Sequence, residues 1–403
     1  MVLFSLLMVL ICLNACSGAK ISDNVTVYVT TNDRAKDFVR SEIALGDKQA
    51  ASPCVITIDP SVRYQTMDGF GAAVTGSTCY NLMRMAPEDR TAFLKETFSD
   101  TEGMGYSYIR ISIGCSDFSL SEYTCCDTKG VENFALQSEE KEYVIPILKE
   151  ILAISPSIKI LGSPWTCPRW MKVDNLKDLR PFESWTSGQL NPAYYQDYAT
   201  YFVKWIQAME AEGIPIEAIT PQNEPLNREE LNNVNGKFPD KELIFTETSI
   251  GMWNDGRNLE KRLMEDMEET ALGTVNNWCK AVIVWNLMLD NERGPNREGG
   301  CQTCYGAVDI DRSDYKTITR NSHYYIIGHL SSVVKPGAVR IGSKGYTADG
   351  IMYSAFENLD GTEALVLLNN TDEAKNITVN SGERSFTYEV PAKAVASFRW
   401  NLY

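Results

Sequence analysis

The sequence predicts an α/β fold, a (β/α)8-type (TIM) barrel with an attached β-sandwich. Two patterns indicate it. Across about 220 residues in the middle of the chain, near-continuous apolar runs alternate with amphipathic helical segments, which is typical of parallel strands buried on both faces. Both chain ends instead carry short, alternating stretches of β-branched residues, which favour the strands of a sandwich.

The composition is that of an ordinary globular protein. Of the 403 residues, 44% are hydrophobic and 23% are charged, which suits one large domain and a smaller one. The formal net charge is −15, from 53 acidic and 38 basic residues. Because such a surface repels phosphate groups, the sequence argues against a nucleic-acid partner and favours a neutral or sugar substrate.

Residues 1–16 are predicted to be a signal segment outside the fold. The apolar run from Val2 to Leu13 is too short to span a bilayer and has the length of a signal-peptide core. It ends in Leu-Asn-Ala-Cys, which resembles the cleavage box of bacterial lipoproteins, so a lipid anchor at Cys16 is expected. The alternative is an ordinary signal peptide. In both cases the mature protein is exported, to the periplasm or outer membrane of a bacterium.

Strands of the sandwich are predicted in residues 17–64, at 25–31 and 55–60, and again in residues 328–403. The barrel is predicted to occupy residues 65–327. Its strands are expected at the apolar runs 105–114, 157–165, 216–225, 242–249 and 281–289.

Two barrel helices follow from the spacing of their apolar residues. Residues 142–154 carry apolar side chains on one helical face, and residues 194–213 form a second helix that Gly213 closes.

The cysteines and histidines provide no metal or cofactor site. Cys301 and Cys304 allow half a zinc site or a redox pair, but no second pair and no nearby histidine supports a metal. Buried or incidentally paired thiols are the preferred interpretation. With only His323 and His329 in the chain, a catalytic triad is not expected, and the chemistry must come from carboxylates.

Two glutamates stand where predicted barrel strands end. Glu224 follows the run IEAIT in the hexapeptide TPQNEP, and Glu247 follows ELIFT. A barrel carries its catalytic groups at the carboxyl ends of its strands. Two facing carboxylates are the minimum equipment for cleaving a glycosidic bond, whereas a single glutamate at a strand end is usually a solvated or helix-capping carboxylate.

Longer motifs strengthen this interpretation. They are GFGAAVTGS (69–77), RISIGCSDFSLSEYTCCD (110–127), SPWTCPRWMK (163–172), TPQNEP (220–225), FTETS (245–249), WNLMLDNERGPN (285–296) and HYYIIGHLSSVVKPGAVRIGS (323–343). Together, over nearly the whole mature chain, they resemble glycoside hydrolase family 30, the glucosylceramidase-like group.

The resemblance implies a retaining β-glycosidase with a (β/α)8 barrel and a β-sandwich. It implies Glu224 of the Asn-Glu-Pro motif as acid/base and Glu247 of the Thr-Glu motif as nucleophile. Residues that match the family's sugar-contacting or supporting positions are Arg110, Trp165, Asn223 and Trp285.

Physical chemistry is consistent with these roles. Trp165 and Trp285 offer flat faces for a pyranose, with core packing as the alternative for each. Arg110 lies in a strand that should be buried and needs an acidic partner. Its charge is expected to hold the nucleophile Glu247 ionised, while the acid needs a raised pKa in the first step.

Two features depart from the family pattern. Gly76 stands where glucosylceramidases of the family carry an aspartate that binds a sugar hydroxyl, which leaves a β-1,6-linked glucan or another β-glycoside open as the substrate. The second departure is that only 23 positions separate Glu224 from Glu247. A full barrel places about 90 residues between the ends of strands four and seven, so strands five and six are predicted to be missing.

An internal deletion, a mistaken gene model or a degenerate relative would each explain the short spacing. Six strands do not close the usual cylinder without a gap or a rearrangement. The predicted function is that of a retaining β-glycosidase which hydrolyses a β-linked glucoside, glucan or glycolipid, of glucosylceramidase or β-1,6-glucan type, by a two-glutamate double displacement. The alternatives are a catalytically inactive carbohydrate-binding lipoprotein and, more weakly, a structural envelope protein that uses only the sandwich.

Overall fold

The protein is described from a computed structural model, which covers residues 24–48, 53–185, 187–224 and 236–401. The predicted signal segment, Cys16 and Pro225 lie outside these residues. The predicted fold class is confirmed, because the described residues form a barrel domain and a β-sandwich to which both chain ends contribute.

The strands in chain order are β1 Asn24–Thr31, β2 Val39–Ala44, β3 Gly46–Asp47, β4 Val55–Thr66, β5 Gly69–Ala72, β6 Tyr108–Ile113, β7 Lys159–Pro164, β8 Lys172–Val173, β9 Gln189–Leu190, β10 Ala218–Ile219, β11 Leu243–Phe245, β12 Ile250–Gly251, β13 Cys279–Val284, β14 Met288–Asp290, β15 Cys304–Tyr305, β16 Val308–Ile310, β17 Ile318–Arg320, β18 Val339–Gly345, β19 Ile351–Glu357, β20 Thr362–Asn369, β21 Lys375–Ser381, β22 Arg384–Val390 and β23 Ala394–Asn401.

The α-helices are α1 Gly76–Arg84, α2 Pro87–Phe98, α3 Ile145–Ile154, α4 Tyr195–Ala211, α5 Leu259–Asp266, α6 Gly273–Asn276 and α7 Ser322–Ser331. The predicted helix at 142–154 is α3, preceded by a π-helical turn at Glu140–Val144, and the one at 194–213 is α4. Gly213 has φ +82°, the left-handed conformation that favours glycine after a helix.

The sandwich is one ten-stranded sheet in the order β2-β1-β23-β20-β19-β18-β4-β21-β22-β3. The N-terminal strand β1 pairs antiparallel with the C-terminal strand β23, so the two chain ends share one sheet. The sheet folds over, since Phe386 on β22 packs against Phe398 and Trp400 on β23 with ring centroids 5.2 Å apart in both pairs. These rings lie in a separate core of valine, isoleucine, leucine and aromatic side chains.

Six parallel strands form the described part of the barrel. Two three-stranded sheets, β10-β7-β6 and β11-β13-β5, are joined by a parallel bridge between Ala73 and Arg110. The resulting row is β10-β7-β6-β5-β13-β11, in which β10 and β11 correspond to the predicted strands four and seven, while β5 at Gly69–Ala72 was not among the predicted strands. Its edge strands, β10 and β11, each pair on one side only within the described residues.

No described strand pairs with the outer edge of β10 or β11, and residues 225–235 are not described. The absence of strands five and six therefore stays a prediction. Within the row, Ile283 on β13 is fully buried, whereas Ala218 on β10 and Ile244 on β11 are half-buried and pack against the same apolar cluster.

Two predicted boundaries differ from the structure. The apolar run 281–289 was expected as one strand but forms β13 and β14, because Asn286 between them has φ +54° and breaks the extended backbone. The expected start of the C-terminal part at residue 328 falls inside α7, and the first sandwich strand after it begins at Val339.

None of the described helices is long and apolar enough to cross a membrane.

Candidate active site

A buried arginine at the middle of the strand row organises the candidate site. Arg110 lies on β6 and is 3% exposed. Its Nη1 donates to Glu247 Oε2 at 2.5 Å and to the Thr246 carbonyl at 3.2 Å. Its Nη2 donates to Ser163 Oγ at 3.0 Å and to Asn223 Oδ1. One guanidinium thus connects side chains that follow or end three other strands.

Glu247 follows β11, and its neighbours fix it at the carboxyl end of the barrel. The strand pairs in parallel with β13, and the Trp285 N–H after β13 donates to the Thr248 carbonyl at 2.7 Å. Glu247 and Trp285 are therefore held at the same level of the barrel. Parallel strand ends that meet at one edge are the usual position of a functional site in this fold.

The Asn223–Glu224 segment is attached to the neighbouring strand β7. The Thr220 N–H donates to the Gly162 carbonyl at 2.9 Å, and the Asn223 N–H donates to the Pro164 carbonyl at 3.0 Å. Glu224 has φ +41°, a left-handed conformation that is uncommon for a residue with a side chain, and its side chain is exposed. Such strained positions cluster at functional sites.

Two tryptophans cover the guanidinium. Trp165 and Trp285 stack with centroids 5.0 Å apart and an interplanar angle of 27°. Arg110 Cζ lies 5.8 Å from the centroid of Trp165 and 5.1 Å from that of Trp285, within the range of a cation–π contact. Trp285 is buried, and Trp165 is half-buried and faces a cleft.

The six predicted site residues lie close together. Arg110 contacts Glu247, Asn223 and both tryptophans directly, and Glu224 is next to Asn223 and close enough to Glu247 to raise its pKa. The core-packing alternative holds in part for Trp285, which packs in an apolar cluster with Phe118.

Two opposing effects act on the pKa of Glu247. Arg110 lowers the pKa of Glu247, as its positive charge should, but burial of the carboxyl has the larger effect, and the pKa is raised above the usual glutamate value. The nearby carboxylates of Glu224 and Asp117 add to the rise. Burial thus outweighs Arg110 in the net direction of the Glu247 pKa, while Arg110 still favours the ionised carboxylate, so the expectation that Arg110 holds Glu247 ionised stays a prediction.

A carboxyl group that the sequence did not indicate lies over Gly76. A Cβ atom at Gly76 would lie 1.7 Å from Glu139 Oε1, so no side chain fits there while Glu139 is in place. The Glu139 carboxylate accepts a hydrogen bond from the Leu120 N–H at 2.8 Å. Burial raises the pKa of Glu139 to about 7. Gly76 had drawn attention as a departure from the family pattern, but nothing in the sequence indicated which side chain occupies its space.

A loop with a disulfide bond borders the site on the Glu247 side. Cys301 and Cys304 form a disulfide bond. Cys304 on β15 pairs with Gly251 on β12, and Gly251 lies four residues after the nucleophile candidate Glu247. Asp117 accepts hydrogen bonds from the Cys301 N–H and from Arg297. The paired-thiol interpretation therefore holds for Cys301 and Cys304, while the other cysteines in the described residues are free.

The described residues contain no cluster of three or more histidine, cysteine, aspartate or glutamate side chains suited to a metal ion. A cleft of about 610 Å³ adjoins the Asn223–Glu224 segment and has Trp165 in its wall. The site thus combines two carboxyl groups, aromatic side chains and an adjoining cleft. Acid–base and nucleophilic chemistry on a carbohydrate uses these features.

Comparison with known proteins gives consistent matches. Residues 67–233 match the TIM-barrel domain model of glycosyl hydrolase family 30, and residues 337–398 match the beta sandwich domain model of the same family. The solved structure of the endo-beta1,6-glucanase BT3312 is 58% identical, with a TM-score of 0.92, over 94% of this chain and 100% of that chain.

Two curated relatives are more distant. The endo-1,6-beta-D-glucanase of Neurospora crassa is 27% identical over 81% of this chain and 85% of its own length. The putative glucosylceramidase 4 of Caenorhabditis elegans is 25% identical over 88% of this chain and 84% of its own length.

Replacing Arg110 by Met should raise the pKa of Glu247 further, because an adjacent opposite charge lowers the pKa of a carboxyl group. A ¹³C-carboxyl NMR titration measures it. Arg110→Lys keeps the charge and should give a smaller rise, and Arg180→Met, which removes an exposed arginine paired with Asp174, is the control. An unchanged or lower Glu247 pKa in Arg110→Met would contradict the assignment of Arg110 as the stabilising charge.

Gly76→Ala should destabilise the protein by about 1–3 kcal/mol, the usual cost of overpacking. In the Glu139→Ala background the same change should cost clearly less, since the carboxyl that collides with the new Cβ atom is gone. Urea denaturation of the four proteins measures this coupling. Gly46→Ala, whose Cβ would first meet the Ser385 carbonyl oxygen at 3.8 Å, is the control. Equal costs in both backgrounds would show that the two positions are independent.

Proposed function

The chain belongs to glycosyl hydrolase family 30, and from that membership and the geometry of the site we propose that it is a retaining β-glycosidase that cleaves β-1,6-linked glucan. The observation that carries the proposal is the pair of hydrogen bonds from Arg110 to Glu247 and to Asn223. These bonds bring the Thr-Glu motif and the Asn-Glu-Pro motif to one point at the carboxyl end of the barrel.

In the first step, a Glu247 carboxylate oxygen attacks the anomeric carbon while Glu224 gives its proton to the departing glycosidic oxygen. Glu247 is half-buried and oriented by Arg110, whereas Glu224 lies on the cleft side of Asn223. In the second step, Glu224 removes a proton from water, and this water hydrolyses the glycosyl–Glu247 ester. The two substitutions at the anomeric carbon restore its original configuration.

The remaining predicted residues have supporting roles in this proposal. Trp165 and Trp285 shield the Arg110–Glu247 pair from water and present aromatic surface to the sugar. Asn223 is held by Arg110 and by the Pro164 carbonyl, and in this proposal its side-chain amide donates to a sugar hydroxyl. No step needs a metal or an organic cofactor.

A glucan is preferred to a glycolipid as the substrate. The 58% identity to an endo-beta1,6-glucanase over nearly the whole chain is much higher than the 25% identity to a putative glucosylceramidase. Glucosylceramide remains the second substrate to test, because both kinds of enzyme occur among the relatives.

A catalytically inactive carbohydrate-binding protein is the second candidate function. Two observations favour it: Glu224 is exposed, and no described strand pairs with the outer edges of β10 and β11. The alignment with the putative glucosylceramidase 4 runs over 455 positions, more than the 403 residues of this chain, so that relative carries segments without a counterpart here. An internal deletion between barrel strands four and seven agrees with these observations.

We further propose that the protein is exported and held at a bacterial membrane by a lipid on Cys16. The support is the sequence of residues 1–16, a short apolar run followed by Leu-Asn-Ala-Cys. The acidic net charge of −15 argues against nucleic acid as a partner.

Hydrolysis of β-1,6-glucan and of glucosylceramide, with ¹H NMR of the first product, tests the function. We expect glucan cleavage with the β anomer released first. Glu247→Gln should lower kcat at least about 10³-fold, since it removes the nucleophile, and Glu224→Gln about 10²–10⁴-fold. Glu242→Gln, on an exposed glutamate just before β11, should leave kcat unchanged.

Release of the α anomer first would refute the retaining mechanism. Glucan binding without any hydrolysis, by a protein shown to be folded, would favour the inactive carbohydrate-binding protein.

A further inference from the structure

The cleft beside Glu224 lies on one side of the site only. Its lining includes Trp165, Asn223 and Glu224, but neither Arg110 nor Glu247. In a glycosidase the proton donor faces the departing oxygen, and the nucleophile attacks from the opposite side of the anomeric carbon. A cleft lined by the donor and not by the nucleophile is therefore on the leaving-group side.

The lining residues fit a sugar better than a lipid. Trp165 and Tyr198 contribute aromatic surface, and Gln189 and Gln222 contribute exposed side-chain amides. Gln222 is oriented by a hydrogen bond from its Nε2 to the Trp165 carbonyl at 2.9 Å. Aliphatic side chains along the described lining are limited to Leu190 and Pro221. Flat apolar faces with polar groups around them match a pyranose, whereas an acyl chain needs a continuous aliphatic groove.

A buried lysine builds one wall of this cleft. Lys172 begins β8 and is 5% exposed, and its Nζ donates to the carbonyls of Ser184 at 2.9 Å, Trp185 at 2.7 Å and Ser187 at 2.9 Å. An ammonium group has three donors, so all three are used on the backbone. The strands β8 and β9 pair on either side of this segment. Lys172 thus fixes the wall segment against the barrel by its side chain.

The wall also supports the aromatic surface. Trp185 packs in a buried cluster against which Trp165 lies. The guanidinium of Arg297 lies over the outer Trp185 ring, 5.1 Å from its centroid. Trp185 therefore links the segment bound by Lys172 to Trp165 by packing. Trp165 in turn stacks on Trp285 in the candidate active site.

We propose that this cleft binds the sugar unit on the leaving-group side of the cleaved bond, with Gln222 as a binding residue and Lys172 as a positioning residue. The inference rests on the proposed function, and it assigns the substrate class of the site: a glycan that has a sugar on the leaving-group side of the cleaved bond, and not a glucoside of a lipid.

Two substrates distinguish sugar binding in this cleft from the cleavage of the glycosidic bond. A nitrophenyl β-glucoside has no sugar on the leaving-group side, whereas a β-1,6-linked gluco-oligosaccharide does. Gln222→Ala should lower kcat/KM for the oligosaccharide about fivefold more than for the aryl glucoside, the effect of one lost hydrogen bond, mainly through KM. Lys172→Met should lower the same ratio at least tenfold, because it releases the whole wall segment.

Gln196→Ala, an exposed glutamine on α4 away from the cleft, is the matched control. Near-UV circular dichroism checks that each variant is folded, and Gln222→Ala keeps the test valid if Lys172→Met is not. An unchanged ratio, or equal losses on both substrates, would overturn the proposal.

If the wild-type protein hydrolyses neither substrate, the proposed catalytic function fails and the binding site is tested separately. Isothermal titration calorimetry with the oligosaccharide should then show binding that Gln222→Ala weakens about fivefold. No binding by the wild-type protein, or equal binding by the variant, would overturn the inference on the cleft.

Discussion

The ion pair between Arg110 and Glu247 is the interaction on which the rest of the site depends. Burying a guanidinium costs several kcal/mol unless charge and hydrogen-bond partners surround it. Arg110 finds these partners in Glu247, Asn223, Ser163 and the Thr246 carbonyl, which belong to segments far apart in sequence. The partners come together only when the strands are in register. The site therefore forms only when the described barrel strands are correctly assembled.

This interaction also links the two edge strands of the described row. Asn223 follows β10 and Glu247 follows β11, the two edge strands of the described row. From β6, near the middle of that row, Arg110 donates hydrogen bonds to both Asn223 and Glu247. The stacked rings of Trp165 and Trp285 lie over its guanidinium. The carboxyl ends of the edge strands are therefore joined through a side chain, without a described strand between them. Glu224, by contrast, is exposed. Among the described residues, the position of the proton donor is therefore held by fewer contacts than that of the nucleophile.

Much of this arrangement could be predicted from sequence, because it depends on local patterns. Apolar runs that end in polar residues gave the strands near Glu224 and Glu247, and the motifs gave Arg110, Asn223 and both tryptophans. Features that depend on contacts between distant segments were not predictable. The Glu139 carboxyl over Gly76 is one, since the two residues meet only in the folded chain. The three backbone acceptors of Lys172 are another. The burial that raises the pKa of Glu247 is a third, because the sequence shows charges but not burial.

Intact mass spectrometry after incubation with a 2-deoxy-2-fluoro-β-glucoside tests most directly whether Arg110 presents Glu247 as a nucleophile. Such a substrate forms the glycosyl–enzyme but releases it slowly. The predicted result is one added fluoroglucosyl group, located by peptide mapping on Glu247 and absent from Glu247→Gln. An adduct on a different residue, or none in a folded protein that still hydrolyses glucan, would contradict this assignment.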